Sequence, residues 1–139
     1  LLVPIGISYG ELLDYCGGPT AEAARIISGG PMMGFAFANL DAPVTKGTSA
    51  MTVLTANDVQ KAEETACIRC GRCVDACPMN LVPTKIALAS RAKDVDLAQA
   101  YSIMACFECG CCAFTCPASI PLVQLIRTGK AQVIASQRK

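Results

Sequence analysis

The sequence predicts an α+β chain in two parts, a small β-grasp-like domain followed by a mainly α-helical domain. Three observations carry that reading. Short apolar runs punctuated by glycine and proline fill the first 57 residues. Helix-compatible stretches open at Pro83 and Pro121. Nine of the ten cysteines crowd into two tight runs, Cys67 to Cys77 and Cys106 to Cys116, eight of them in one repeated spacing.

Residues 1–7 read as a strand with a kink at Pro4. Ser8, with Glu11 three residues on, has capping-box spacing and opens a helix through Leu12, Leu13 and Tyr15, which Gly17-Gly18 ends. Cys16, at the end of that helix, is expected to pack. Residues 25–28 read as a second strand, Gly29-Gly30-Pro31 as a turn, and residues 49–55 (SAMTVLT) as a further strand. Together these make the β-grasp-like domain, residues 1–57. Residues 58–66 are expected to form a linker helix.

Residues 67–139 are expected to form the helical domain. Pro83 opens a helix through Ile86, Leu88 and Ala89. A second helix fits residues 97–104, with Asp94 or Asp96 at its positive end. A third opens at Pro121, where proline suits the first turn. Its residues Leu122, Leu125, Ile126, Val133 and Ile134 lie on one stripe, interrupted by Gly129. The cysteine motif is the only internal repeat in this reading.

Composition excludes several chemistries. The chain has no histidine, so a His-ligated zinc site, a Rieske centre or a Ser-His-Asp pair cannot be built from it. No apolar run approaches a membrane span. The opening LLVPIGIS lacks a basic n-region and an initiator Met, and the chain is expected to be a fragment of a longer protein. Residues 1–66 carry three basic and seven acidic side chains, residues 67–139 nine and four. The basic excess of the second half is read as compensation for bound anionic centres rather than as a nucleic-acid patch. Arg127, Lys130, Arg138 and Lys139 are read as a solvated helix face.

Both runs have the form C-x2-C-x2-C-x3-C-P: Cys67, Cys70, Cys73, Cys77, Pro78 and Cys106, Cys109, Cys112, Cys116, Pro117. Soft thiolates select iron–sulfur centres or zinc. Zinc sites usually use cysteine pairs separated by a longer loop, so two complete runs favour two [4Fe–4S] clusters. In this spacing three cysteines hold one cluster and the fourth reaches the other. The assignment is Cys67, Cys70, Cys73 and Cys116 for the first, and Cys106, Cys109, Cys112 and Cys77 for the second. Cys111 is left as a packing thiol near the second. Arg69, Arg72 and Asp75 in run one, against Glu108 in run two, predict the higher potential for the first cluster. Thiol runs of this kind suit a reducing compartment.

Residues 29–139 resemble the RnfC (also RsxC) subunit of the Rnf electron-transport complex. The matching stretches are GGPMMG at 29–34, LDAPVTKGTSA at 40–50, the two cysteine runs, and SIPLVQLIRTGKA at 119–131. The resemblance implies a soluble-ligand-binding β-grasp (SLBB) domain followed by a two-[4Fe–4S] ferredoxin domain. It implies a peripheral subunit on the cytoplasmic face of the bacterial inner membrane, whose partners are other Rnf subunits and ferredoxin-type carriers. FMN and NAD(H) are expected only in a missing N-terminal part; no dinucleotide-binding glycine motif occurs here. The fragment is thus expected to carry electrons within a parent oxidoreductase and ion translocase. The alternatives are the equivalent module of a propanediol-utilisation cobalamin reductase and a non-catalytic iron–sulfur or zinc module. GGPMMG is read as structural, its glycines supplying positive φ and Met32 and Met33 filling a core.

Overall fold

The computed structural model describes residues 1–59 and 63–138. It divides into two compact units, Leu1–Lys61 and Ala62–Lys139.

In the first unit, α1 (Tyr9–Tyr15) begins with the expected capping box. Ser8 Oγ accepts from the Glu11 amide at 3.1 Å, and the Glu11 carboxylate accepts from the Ser8 amide at 3.0 Å. Two orphan donors of the first turn are thereby satisfied. The helix stops at Cys16, followed by Gly17 and Gly18 at positive φ. Cys16 is exposed, so the expectation that it packs is wrong.

The sheet has three antiparallel strands in the order β2-β1-β3: β1 (Ala23–Ser28), β2 (Phe35–Phe37) and β3 (Met51–Thr55). Ile27 pairs with Ala36 on one side and Thr52 on the other, and it is the buried residue of the central strand. Tyr9 fastens α1 to this sheet. Its ring lies 4.5 Å from that of Phe37, and its hydroxyl lies 2.7 Å from Ser28 Oγ and 3.1 Å from Thr48 Oγ1. Tyr9, Leu13, Ile27 and Val44 are the buried residues of this small core.

Residues 1–7 form no strand. Pro4 has no N–H to donate and Gly6 turns to φ 98°, and the segment's backbone meets the chain through bonds between Gly6, Ile7 and Val44, next to an isolated bridge from Ser8 to Pro43. β2 leaves no signal in the sequence, because three residues give no period. The GGPMMG turn precedes it. Only Gly29 in that turn has positive φ, at 100°. Gly34 is required for a different reason: a Cβ there would sit 2.4 Å from Ile27 Cγ2 and 2.6 Å from the carbonyl oxygens of Ser28 and Gly30. Met32 and Met33 are 42% and 49% exposed and fill no core.

In the second unit the helices are α2 (Arg72–Asp75), α3 (Pro83–Arg91), α4 (Val95–Ala100), a 3-10 turn (Ile103–Ala105), α5 (Cys111–Phe114) and α6 (Leu122–Gln137). Of the expected linker helix, residues 58 and 59 lie in a turn and bend, 63–66 are not helical, and 60–62 lie outside the described residues. α3 opens at Pro83 as expected. The helix expected over residues 97–104 starts earlier, with Asp94 accepting from the Leu97 amide at 2.9 Å, and ends at Ala100. Ser102, at φ 57°, forces that end and redirects the chain into the 3-10 turn.

α6 runs without interruption through Gly129, which is buried where α6 crosses α3. A Cβ at Gly129 would lie 2.0 Å from Ser90 Oγ and 2.8 Å from Ile103 Cδ1. The glycine permits close approach, and the packing gained offsets its poor helix propensity. Ser90, buried beside it, donates to the Ile86 carbonyl at 2.8 Å. Ile86, Ala89, Ala98, Ile103, Ile126 and Val133 form one core cluster. Cys73, Ala87, Cys112, Leu122 and Val123 form the other. Ile134, placed on the apolar stripe by the sequence, is 39% exposed.

Both close-packed glycines give a stability test. Gly34→Ala and Gly129→Ala are each expected to cost about 1–3 kcal/mol by overpacking, outweighing the roughly 1 kcal/mol that alanine gains in a helix at Gly129. Chemical denaturation checks this, with Gly47→Ala, whose Cβ meets nothing within 4 Å, as the neutral reference.

Candidate iron–sulfur centre

The two cysteine runs share one backbone path, offset by 39 residues from Cys67 to Cys106. Arg69 and Glu108 occupy the left-handed region at φ 56° and 63°. Gly71 and Gly110 follow at 79° and 89°, and Asn80 and Ser119 at 52° each. Gly71 accepts from the amides of Val74 and Asp75, opening α2; Gly110 does the same for Ala113 and Phe114, opening α5. After the fourth cysteine, Asn80 N–H bonds to the Cys77 carbonyl and Ser119 N–H to that of Cys116. These turns bend each run so that its first three cysteines line one cavity.

Where the thiols go is clear from the cavities. One, of about 230 Å³, is lined by Cys67, Cys70 and Cys73 together with Cys116 of the other run, and by Gly71, Thr84 and Pro117. A second, tighter one of about 20 Å³ is lined by Cys106, Cys109 and Cys112 together with Cys77, and by Leu81, Ile86, Val123 and Ile126. Each set thus draws three thiols from one run and one from the other. Cys67 and Cys70 are exposed, Cys73 and Cys112 buried, and the remaining four half-buried. Among the described residues, no three His, Cys, Asp or Glu side chains converge closely enough to hold a single metal ion.

The donor chemistry suits a metal–sulfur core. Burial pushes the Cys112 thiol up to about 12, with the neighbouring Cys106, Cys109 and Cys73 adding to the rise. Burial also raises Cys73, against hydrogen bonds involving Thr84 and with a further push from Cys116. Such thiols are inert until a metal takes the proton's place. Two backbone amides already donate to sulfur, Leu81 to Cys77 Sγ and Glu108 to Cys106 Sγ, each at 3.4 Å. Cys111 lines neither cavity; a hydrogen bond with Cys109 raises its thiol.

The sequence reading missed an ion-pair group on the second set. Glu108 accepts from Arg127 Nε at 2.7 Å and from Lys130 Nζ at 2.9 Å, and Lys130 also donates to the Cys106 carbonyl. Arg127 and Lys130 are therefore not a solvated face; their side chains are 16% exposed. Nor is Glu108 a lone anion, which removes the second set's part of the charge contrast between the runs. The i, i+3 spacing of Arg127 and Lys130 was a visible signal, but their partner lies 19 residues before the first of them.

Residues 66–120 match the 4Fe–4S dicluster domain family and residues 1–36 the SLBB domain family. Fold and match together define a two-cluster iron–sulfur protein. The chain is 49% identical over 134 residues to the C subunit of the proton-translocating ferredoxin:NAD(+) oxidoreductase complex of Clostridium ljungdahlii, covering 95% of this chain and 29% of that protein. It is 45% identical over 139 residues to the C subunit of the ion-translocating oxidoreductase complex of Rhodobacter capsulatus (100% and 27%). It is 44% identical over 137 residues to the C subunit of the Na(+)-translocating ferredoxin:NAD(+) oxidoreductase complex of Acetobacterium woodii (99% and 31%). The chain belongs to this family, RnfC, and spans less than a third of the length of these three relatives.

The ion-pair group has a pH signature. Desolvation pushes the Glu108 carboxyl up, but the bonds and charges of Lys130 and Arg127 outweigh it and hold it below the ordinary glutamate value. A depressed folded value contributes stability that is present above the unfolded pKa and is lost as pH falls through the folded one. Between roughly pH 5 and 3 the native chain is expected to lose more unfolding free energy than Glu108→Gln, as denaturant titrations across that range will read.

Proposed function

We propose that this chain is the electron-relay segment of an Rnf-type NAD:ferredoxin oxidoreductase complex. The observation that carries the reading is the pair of cavities, each walled by three thiols of one run and one of the other. Cys67, Cys70, Cys73 and Cys116 are assigned to one [4Fe–4S] cluster, and Cys106, Cys109, Cys112 and Cys77 to the other. Bound there, the clusters supply one-electron transfer, with no bond to substrate made or broken. The chain's own residues hold the thiols in register, exclude water from Cys73 and Cys112, and direct amides at sulfur. Crossed fourth ligands keep the two sets adjacent, so that an electron passes between them.

The relatives' names supply the wider setting: ferredoxin and NAD(+) as the terminal couples, and translocation of protons or Na(+) by the complex. FMN and NAD(H) are assigned to the part of the subunit that this chain does not span, and the partners to the remaining subunits and ferredoxin-type carriers. The SLBB match over residues 1–36 and the small antiparallel sheet support a β-grasp-related first domain. Among the described residues no helix is long and apolar enough to cross a membrane. Attachment is assigned to the cytoplasmic face, peripherally and through partner subunits. The spacing, two complete four-cysteine runs each trailed by proline rather than cysteine pairs parted by a longer loop, disfavours the zinc alternative.

Anaerobically prepared protein is expected to contain about eight iron and eight acid-labile sulfides per chain. Cys116→Ser should abolish the same EPR-detected redox wave as Cys70→Ser, and Cys77→Ser the same wave as Cys109→Ser. Zinc alone, or disulfides among these eight cysteines, would sink the reading; pairing of Cys116 with Cys109 would sink the crossing.

A further inference from the structure

We propose that Glu108, Arg127 and Lys130 form a charged clamp that raises the reduction potential of the centre held by Cys77, Cys106, Cys109 and Cys112. The proposal rests on the ligand reading above.

Glu108 lies between two of those cysteines, in the left-handed region, and lines their cavity. Its carboxylate is gripped by Arg127 Nε and Lys130 Nζ, both on α6. Its amide donates to Cys106 Sγ, and Lys130 donates to the Cys106 carbonyl. The clamp therefore does two things at once. It holds an N–H on a ligand sulfur, and it sets the Lys130 ammonium on the carbonyl of that same ligand. Reduction adds a negative charge to a cluster, so both features stabilise the reduced form. The three side chains are only 16–24% exposed, so salt screens them less than surface charges.

The other run lacks this device. Its repeat counterparts of Glu108, Arg127 and Lys130 are Arg69, Leu88 and Arg91. Arginine in place of the carboxylate leaves nothing to bridge from the run to its helix. Arg91 pairs with Glu64 instead, at 2.7 Å and with its side chain half exposed. Leu88 and Arg91 border a groove of about 300 Å³ beside Cys67. The effect is thus confined to one of the two centres.

The test is an anaerobic redox titration followed by EPR, on protein whose iron and sulfide content has first been measured. Lys130→Met is expected to move one of the two one-electron waves to lower potential, by up to about tenfold in the reduction equilibrium, or about 59 mV. Glu108→Gln, which keeps the amide and removes the negative charge, is expected to move the same wave upwards. Lys130→Arg should retain most of the native value, and Arg91→Met should leave both waves in place. Unmoved waves, both waves moving together, or shifts of the same sign in Lys130→Met and Glu108→Gln would overturn the clamp. If Lys130→Met loses iron, Glu108→Gln decides in its place, and an unmoved wave there overturns the clamp. Native protein without iron and sulfide would defeat the ligand reading instead, a result separable from failure of the clamp.

Discussion

The second unit is organised by one geometric demand: four thiols of a short peptide must serve two different points. Three line one cavity from within seven residues, and the fourth lines the cavity of the other set. A peptide can turn that sharply only by leaving the ordinary backbone regions, and each run does so at three corresponding residues. Only one of the three is glycine. The others, Arg69 and Asn80 in one run and Glu108 and Ser119 in the other, bear a side chain in the left-handed region at about 1–2 kcal/mol each. Such conformations persist only where the surroundings over-determine them. Here the surroundings are α3 and α6, which follow the runs and pack Cys73 and Cys112 into a core with Leu122 and Val123.

The two halves of this unit are related more deeply than by their cysteines. Pro83 and Leu122 begin helices at corresponding places, and Ser90 and Gly129 are corresponding residues that meet where those helices cross. Residues related by a repeat touch each other when they lie near a pseudo-twofold axis. At such a place two side chains compete for one space, which is why one partner is glycine. Away from that point the halves diverge. One run is exposed at Cys67 and Cys70 and flanked by a groove; the other is half-buried and tied to α6 by ion pairs. A symmetric scaffold thus presents its two thiol sets to different electrostatic surroundings.

The first unit holds together differently. Its sheet is small, and Tyr9 carries much of its cohesion by joining a buried ring to two hydroxyl partners. GGPMMG contributes through Gly34, whose missing side chain lets the turn fold against Ile27. The stretch that stands out in the sequence is therefore a packing feature, and its methionines lie on the surface.

Local chemistry was legible without coordinates. The cysteine spacing named the metal class, Ser8 and Glu11 announced a helix start, and Pro83 announced another. Each depends on residues a few positions apart, where backbone geometry alone dictates who can meet. The partnership of Glu108 with Arg127 and Lys130, the service of Gly129 to Ser90, the failure of residues 1–7 to pair as a strand and the exposure of Cys16 were not legible. Each depends on which distant surface arrives opposite, and an apolar or charged residue looks the same in a string whichever neighbour it gains. By itself the sequence determined the ligand chemistry and the helix punctuation, because those are short-range. Only the tertiary structure decided which charges are neutralised and where Gly129 meets Ser90, because those depend on how α6 packs against α3 and the second cysteine run.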